Sequence, residues 1–329
     1  MAELAGRSQA SAGNRREPVA AVPFGPGSLV WDLAGDRRGN LVLLMPLLMQ
    51  AMHPVIGDAV RRYSVALTDP YGRHTRSIDS IHLWFYGGEE GLAEGRRLVE
   101  LHKPIRGRDT DGRDYSALNP EAWAWVPLSA YPAFLAQCRL FGEPLGQAGQ
   151  ERLYAEIQNL CRIFGVRERH IPPTVQAFWE YYDTMVATRL ADDPYIHQIL
   201  ELAAVVPPPP ALPRQLGPAW RIAAVPLGRG NAWLARGVFP REVRDILGLP
   251  WTARDELALR LLGQLIRQAA RITPEPLRYA PMPLHARRLA RAAAAGRSTA
   301  RHRQRLAAWE ARIRARQTQD LPRQAAGLR

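Results

Sequence analysis

The chain has 329 residues, 47% hydrophobic and 23% charged, ordinary proportions for a globular protein long enough to bury a sizeable core. Its net charge of +13 is concentrated at one end. Residues 284–329 hold twelve arginines against Glu310 and Asp320, a net of +10, which leaves +3 for the remainder. With no DNA- or RNA-reading motif beside it, that distribution argues against a nucleic-acid-binding protein. Two cysteines without CxxC spacing, Cys138 and Cys161, exclude a disulfide framework and predict reduced core thiols in a cytoplasmic protein.

Residues 1–20 are polar, have no apolar stretch of the signal-peptide kind, and are expected to form a disordered leader. Helical patterns follow at 40–53, 54–66, 73–86 and 89–103. The apolar run 41–56 is interrupted by Pro46, Gln50 and His53 and is shorter than the roughly 20 residues of a membrane span, so it reads as a buried helix. Residues 104–121, rich in Gly, Asp and Arg, read as a loop directly after His102, with Arg106, Arg108 and Arg113 solvated or near the rim of a site.

Further helices are predicted at 131–141, 147–164, 173–190 and 195–204, and Pro207–Pro210 with Pro213 reads as a stiff connector. The clearest helix is 252–271. Thr252 and Asp255 resemble a capping box, Pro274 follows the end, and Leu257, Leu261, Leu262, Leu265, Ile266 and Ala269 form a stripe of period 3.6 expected to pack into the core. The Ala/Arg-rich stretch 284–329 reads as a helical tail with a thin apolar stripe of Leu289, Leu306, Trp309 and Ile313. It is expected to be a solvated extension, to make peripheral contact with anionic lipid or, as the third reading, to contact nucleic-acid phosphates, for which no reading motif is present. Strand signals are scarce, and the fold class is all-α, one compact multi-helix domain.

P-loop, GxSxG, HExxH and complete GxGxxG motifs are missing, and Gly228-Arg229-Gly230 reads as a turn fragment. Two features remain for chemistry. Arg73, Arg76 and Ser77 share one face of a helix, and His102 ends a second helical pattern with Gly95, Leu98 and Val99 on its face. Taken alone, these are a solvated arginine face and a hydrogen-bonded core histidine, or else the two sides of a haem pocket. His74 and His82 stand about two helical turns apart, too far to share one metal with His102 on an unbroken helix.

A wider set of motifs favours the second reading. In order, the chain carries Leu47-Leu-Met-Gln50-Ala-Met-His53-Pro54, Asp69-Pro70 with Gly72-Arg73, Tyr86-Gly87, the His102 segment with Gly107, and Gly112-x-x-Tyr115-x-Ala117-x-Asn119-Pro120. Trp125-Val126, Pro144-Leu145, Phe164-Gly165-Val166, Ile171-Pro172 and Phe239-Pro240-x-x-Val243-Arg244-x-x-Leu247-Gly248-Leu249 follow. Across about residues 25–290 it resembles the MpaB and latex-clearing-protein (rubber oxygenase) family. Two departures concern the distal motif Arg-x-x-Lys-Thr, where this chain has Arg76 for the lysine and Ser77 for the threonine. A third is Pro127 after Trp-Val, where the family often has histidine.

The resemblance implies a catalytic domain over 21–283 with a globin-related core that binds haem b, His102 as the proximal iron ligand, and Arg73, Arg76 and Ser77 on the distal side. Because a guanidinium stays protonated, Arg76 cannot coordinate iron as the lysine can, so the sixth position is expected to be open or filled by water. Asp58 is the nearest acidic candidate, and Arg106, Arg108 and Arg113 are candidates for the propionates. The implied activity is haem-dependent oxygenation of a small apolar, isoprenoid-like substrate by dioxygen. The alternatives are a non-catalytic carrier of haem or another apolar ligand, and an interaction protein acting through 284–329.

Overall fold

Apolar residues at helical spacing, punctuated by Pro and Gly, fold this chain almost wholly into helices. The computed structural model describes residues 19–108, 112–206, 208 and 212–326, with side chains through residue 318. The expected leader, residues 19 and 20 apart, lies outside the described residues, as do Pro207, Pro209 and Pro210 of the proline run. The elements in chain order are α1 (Leu29–Ala34), α2 (Leu44–Ala51), α3 (Pro54–Tyr63), α4 (Pro70–Tyr86), α5 (Glu89–His102), β1 (Arg106–Arg108), β2 (Asp114–Ser116), α6 (Pro120–Leu128), α7 (Ala130–Phe141), α8 (Gln147–Ile163), α9 (Val175–Thr188), α10 (Pro194–Ala204), α11 (Gly217–Val238), α12 (Arg241–Ile246), α13 (Ala253–Ile272), α14 (Glu275–Arg278), α15 (Pro281–Ala294) and α16 (Ala300–Ala326).

Local chemistry starts many of these helices. Proline occupies the first turn of α3, α4, α6 and α10, where its missing N–H has no helical partner to lose. Asp69, Asn119, Thr174 and Asp193 accept hydrogen bonds from the first-turn amides of α4, α6, α9 and α10. Thr252 and Asp255 form the expected reciprocal capping box on α13. The start of α1 is capped at long range, because the Glu156 carboxylate on α8 accepts from the amides of Leu29 and Val30 at 2.9 and 2.8 Å.

One hydrophobic cluster runs from α1 to α16, so the described chain is a single domain. Its centre is α8, whose Leu153, Ile157 and Cys161 are fully buried, with Trp125, Tyr131, Phe141 and Phe178 around it. Both cysteines are free and buried, and burial pushes the Cys138 thiol up to about 11, so it stays protonated.

Four sequence readings change. α11 contains Pro226, Gly228 and Gly230 within one 22-residue helix, so Gly228-Arg229-Gly230 is helix interior and not a turn. The loop after His102 contains the two-stranded antiparallel hairpin β1–β2, with Gly107 opposite Tyr115. Only part of the α13 stripe is core: Leu262 and Ile266 pack against the buried cluster, whereas Leu257, Leu261 and Leu265 are 58%, 56% and 67% exposed. α13 instead packs along a narrower line through Leu259, Gly263 and Ala270, where a Cβ on Gly263 would stand 2.3 Å from the Leu140 carbonyl of α7. Backbones that approach so closely leave no room for the broad leucine face.

The fourth change is the tail. α15 and α16 pack on each other and against α4, with Leu306 and Ile313 buried and Leu289 and Trp309 packed on the core. A thin stripe suffices because ion pairs reinforce it: Arg316 grips Asp79 of α4 and Arg314 pairs with Glu90 of α5. Among the described residues no helix is long and apolar enough to cross a membrane.

Candidate functional site

α4 and α5 form an antiparallel pair, and with α3 and α6 they enclose a cavity of about 460 Å³. Its walls are mostly aliphatic and aromatic, from Val55, Ile56 and Val60 of α3, Leu98 and Leu101 of α5, and Trp123 of α6. Both volume and lining are those of a site for a small organic ligand or prosthetic group. Into it project His102, Arg73, Arg76 and Arg97, so three of the four expected site residues meet at one place.

His102 sits at the last turn of α5. Its Nδ1 lies 2.8 Å from the carbonyl oxygen of Leu98 one turn back, so Nδ1 carries the proton and donates. Nε2 is left as the lone-pair nitrogen. Burial lowers the imidazole's proton affinity and outweighs the opposing pull of the Leu98 carbonyl, with Arg73 and Arg97 lowering it further, so the ring is neutral at pH 7. Trp123 fixes the ring plane, with centroids 5.0 Å apart, and is itself anchored by its indole N–H donating to the Phe164 carbonyl at 2.8 Å. α5 is seated close against α8 by Gly95, where a Cβ would stand 2.1 Å from the Ile163 carbonyl.

Arg73 and Arg76 lie in the first half of α4. Arg73 has no carboxylate in ion-pair range among the described residues. Its Nη1 donates to Ser77 Oγ at 2.7 Å, while burial, and then repulsion from Arg76, weakens its hold on the proton. Arg76 pairs with Asp69 at 3.4 Å, and Asp69 also caps the helix. Ser77 does not line the cavity. Its hydroxyl accepts from Arg73 and donates to the Arg73 carbonyl at 3.1 Å, so it braces Arg73 and does not reach a ligand.

The remaining candidates are placed elsewhere. Asp58 is buried behind the wall, where Arg61, Arg62 and the Tyr115 hydroxyl engage its carboxylate. His53 occupies the N-cap position of α3 without a side-chain capping bond and reaches Glu121 at 3.3 Å, but burial keeps it neutral and it does not line the cavity. Arg106, Arg108 and Arg113 are not among the lining residues, and Arg108 pairs with Asp114 on the hairpin. His74 and His82 face a second cavity, of about 330 Å³, on another side of α4.

Sequence reasoning missed the inner end of the main cavity. Ser80 of α4, Arg97 of α5 and Gln317 of α16 line it together, all bonded to the buried Glu94 carboxylate. The only sequence signal was the i, i+3 pair of Glu94 and Arg97, which reads equally well as a solvated pair.

Among the described residues no group of three or more His, Cys, Asp or Glu side chains is arranged to hold a metal ion. A lone imidazole with a free lone pair therefore suits a metal that brings its other ligands with it. The described chain is thus a helical domain that presents one neutral histidine and several guanidinium groups to an apolar cavity. The family model described as ER-bound oxygenase mpaB/B'/Rubber oxygenase, catalytic domain, matches residues 31–268, and the chain belongs to this oxygenase family. Neither a search of curated proteins nor a search of solved structures returned a match.

Proposed function

We propose that this chain is a haem b-dependent oxygenase acting on a small apolar substrate with dioxygen. The observation that carries the reading is His102, whose Nδ1–H is committed to Leu98 and whose Nε2 remains an unprotonated donor atom in a largely apolar cavity. The donor set fits haem: a single neutral imidazole for iron, aliphatic and indole walls for the macrocycle, and guanidinium groups for carboxylates. The reading includes the globin-related haem core that the family resemblance implies.

Haem iron, when bound, supplies the dioxygen activation that no side chain of this cavity can perform. The chain's own residues do the rest. His102 holds a fixed tautomer through Leu98 and a fixed plane through Trp123. Arg73 and Arg76 would supply positive charge to stabilise a reduced oxygen ligand, in a cavity whose apolar lining would strengthen that charge. Ser77 holds Arg73 in place. The aliphatic wall of α3 binds substrate and excludes water.

Dioxygen uptake by haem-loaded protein in the presence of an isoprenoid substrate tests the reading. Uptake that falls about 100-fold in Arg73→Met is the expected result, a typical cost of removing one group that stabilises developing charge. Haem binding without any uptake would identify a carrier instead.

A further inference from the structure

α16 lies beyond the family-matched region 31–268, yet it completes the cavity. Its outer face is exposed at Arg312, Arg314 and Thr318, while Gln317 lines the cavity, so among the described residues α16 covers the cavity at this place. The contact is firmly held. Arg316 donates from Nε and Nη2 to the two carboxylate oxygens of Asp79 at 2.8 and 2.7 Å. Next to it, Gln317 Nε2 donates to Glu94 at 3.2 Å, and Glu94 also accepts from Ser80 at 2.6 Å and from Arg97 at 2.7 and 2.8 Å. At the other end, the cavity-lining Val65 and Thr68 are exposed and form a mouth. Val65 and Thr68 stand at one end of the lining and Gln317 at the other, and Arg73 and Ser80 are about 10 Å apart along α4 between them.

The Gln317 end has a definite chemistry. Glu94 occupies Gln317 Nε2 and two of the three guanidinium nitrogens of Arg97. Gln317 Oε1 and Arg97 Nη1 make no bond to protein among the described residues. One is an acceptor and the other a donor, the complement of a hydroxyl group, which both donates and accepts.

We propose that α16 is the end wall of the substrate cavity, that Gln317 and Arg97 receive the hydroxyl of an amphiphilic alcohol, and that Gln317 limits the alcohol's length. The substrate class is then a discrete small alcohol with an apolar body. This deepens the oxygenase reading by resting on the same cavity, but it does not depend on haem.

The test is displacement of an apolar fluorescent dye from the full-length protein by a graded series of straight-chain alcohols and their methyl ethers. Each added methylene should tighten wild-type binding about fourfold, the equivalent of about 0.8 kcal/mol, until the chain fills the cavity, after which the gain stops. The ether, which cannot donate to Gln317, should bind about tenfold more weakly than the alcohol. Gln317→Ala should move the length limit to longer alcohols and erase the alcohol–ether difference, whereas Gln317→Trp should move the limit to shorter ones. Far-UV circular dichroism establishes that each variant is folded, and the opposite signs of the two shifts separate an end wall from general loosening. A length limit that is the same in all three proteins, or no alcohol binding by wild type, would overturn the proposal. Absence of a haem spectrum from the same preparation would count against the oxygenase reading alone.

Discussion

The Nδ1 of His102 lies 2.8 Å from the carbonyl oxygen of Leu98, and this one bond selects the tautomer, leaving Nε2 as the lone-pair atom of the cavity. It is an i to i−4 contact inside α5, so the imidazole is set by the helix that carries it. Its position in the molecule is therefore only as good as the seating of α5.

That seating depends on Gly95. Gly95→Ala would drive a methyl group into the Ile163 carbonyl at 2.1 Å and force α5 away from α8. The variant should lose about 2 kcal/mol of stability in urea unfolding, the usual cost of overpacking. Ligand affinity should fall with it, because His102 and Leu98 move with the helix.

Arg73 is a charge kept at a cost. It is half-buried without an ion-pair partner among the described residues and faces a second guanidinium, Arg76. Arg73→Met should raise ligand-free stability by about 1 kcal/mol in denaturant unfolding, since an apolar side chain of similar length removes the desolvated charge. An Arg73→Met protein that is less stable than wild type would show that Arg73 is structural.

Acid should weaken the fold through its buried histidines. His82, facing the second cavity, is held down to about 4 by burial, with Arg37 adding to the effect, against 6.5 for an unperturbed imidazole. The unfolded chain takes up this proton first. Stability is therefore full above pH 6.5 and is lost progressively as pH falls toward 4. In His82→Gln the drop in melting temperature across this window should shrink. It should not vanish, because His53, His74 and His102 are also depressed by burial.

The tail's ion pair should behave as a clamp. Arg316→Ala leaves Asp79 buried without its cation and should cost about 2 kcal/mol, less than for a fully buried pair because Arg316 is 38% exposed. Replacing both partners, Asp79→Leu with Arg316→Leu, should restore most of that loss in the same urea titration.

Much of this architecture is readable from the residues because the helices carry their own signals. Thr252 with Asp255 and Pro54 after His53 mark starts that the structure places at the same residues, whereas α4, read from residue 73, begins a turn earlier at Pro70. α11 was illegible because Gly228-Arg229-Gly230 reads as a turn and Pro226 is a poor helix former, and tertiary packing overrides both. The α13 leucines misled because periodicity shows that a helix has an apolar face, not which face finds a partner.

At the site, spacing brings Arg73, Arg76 and His102 to one cavity, since each sits on a face fixed by its helix. Ser77 shares that face but is used up within its own turn. Gln317 was beyond reach, because its role depends on where a helix more than two hundred residues later docks against Glu94.

The most direct measurement is the visible spectrum of wild-type protein and His102→Ala, each supplied with haem during expression. The account predicts a Soret band near 400 nm (roughly, as for haem proteins in general) in wild type that is lost or shifted in the variant. Identical haem spectra from the two proteins would remove His102 as the iron ligand, and protein without haem in either case would contradict the oxygenase reading.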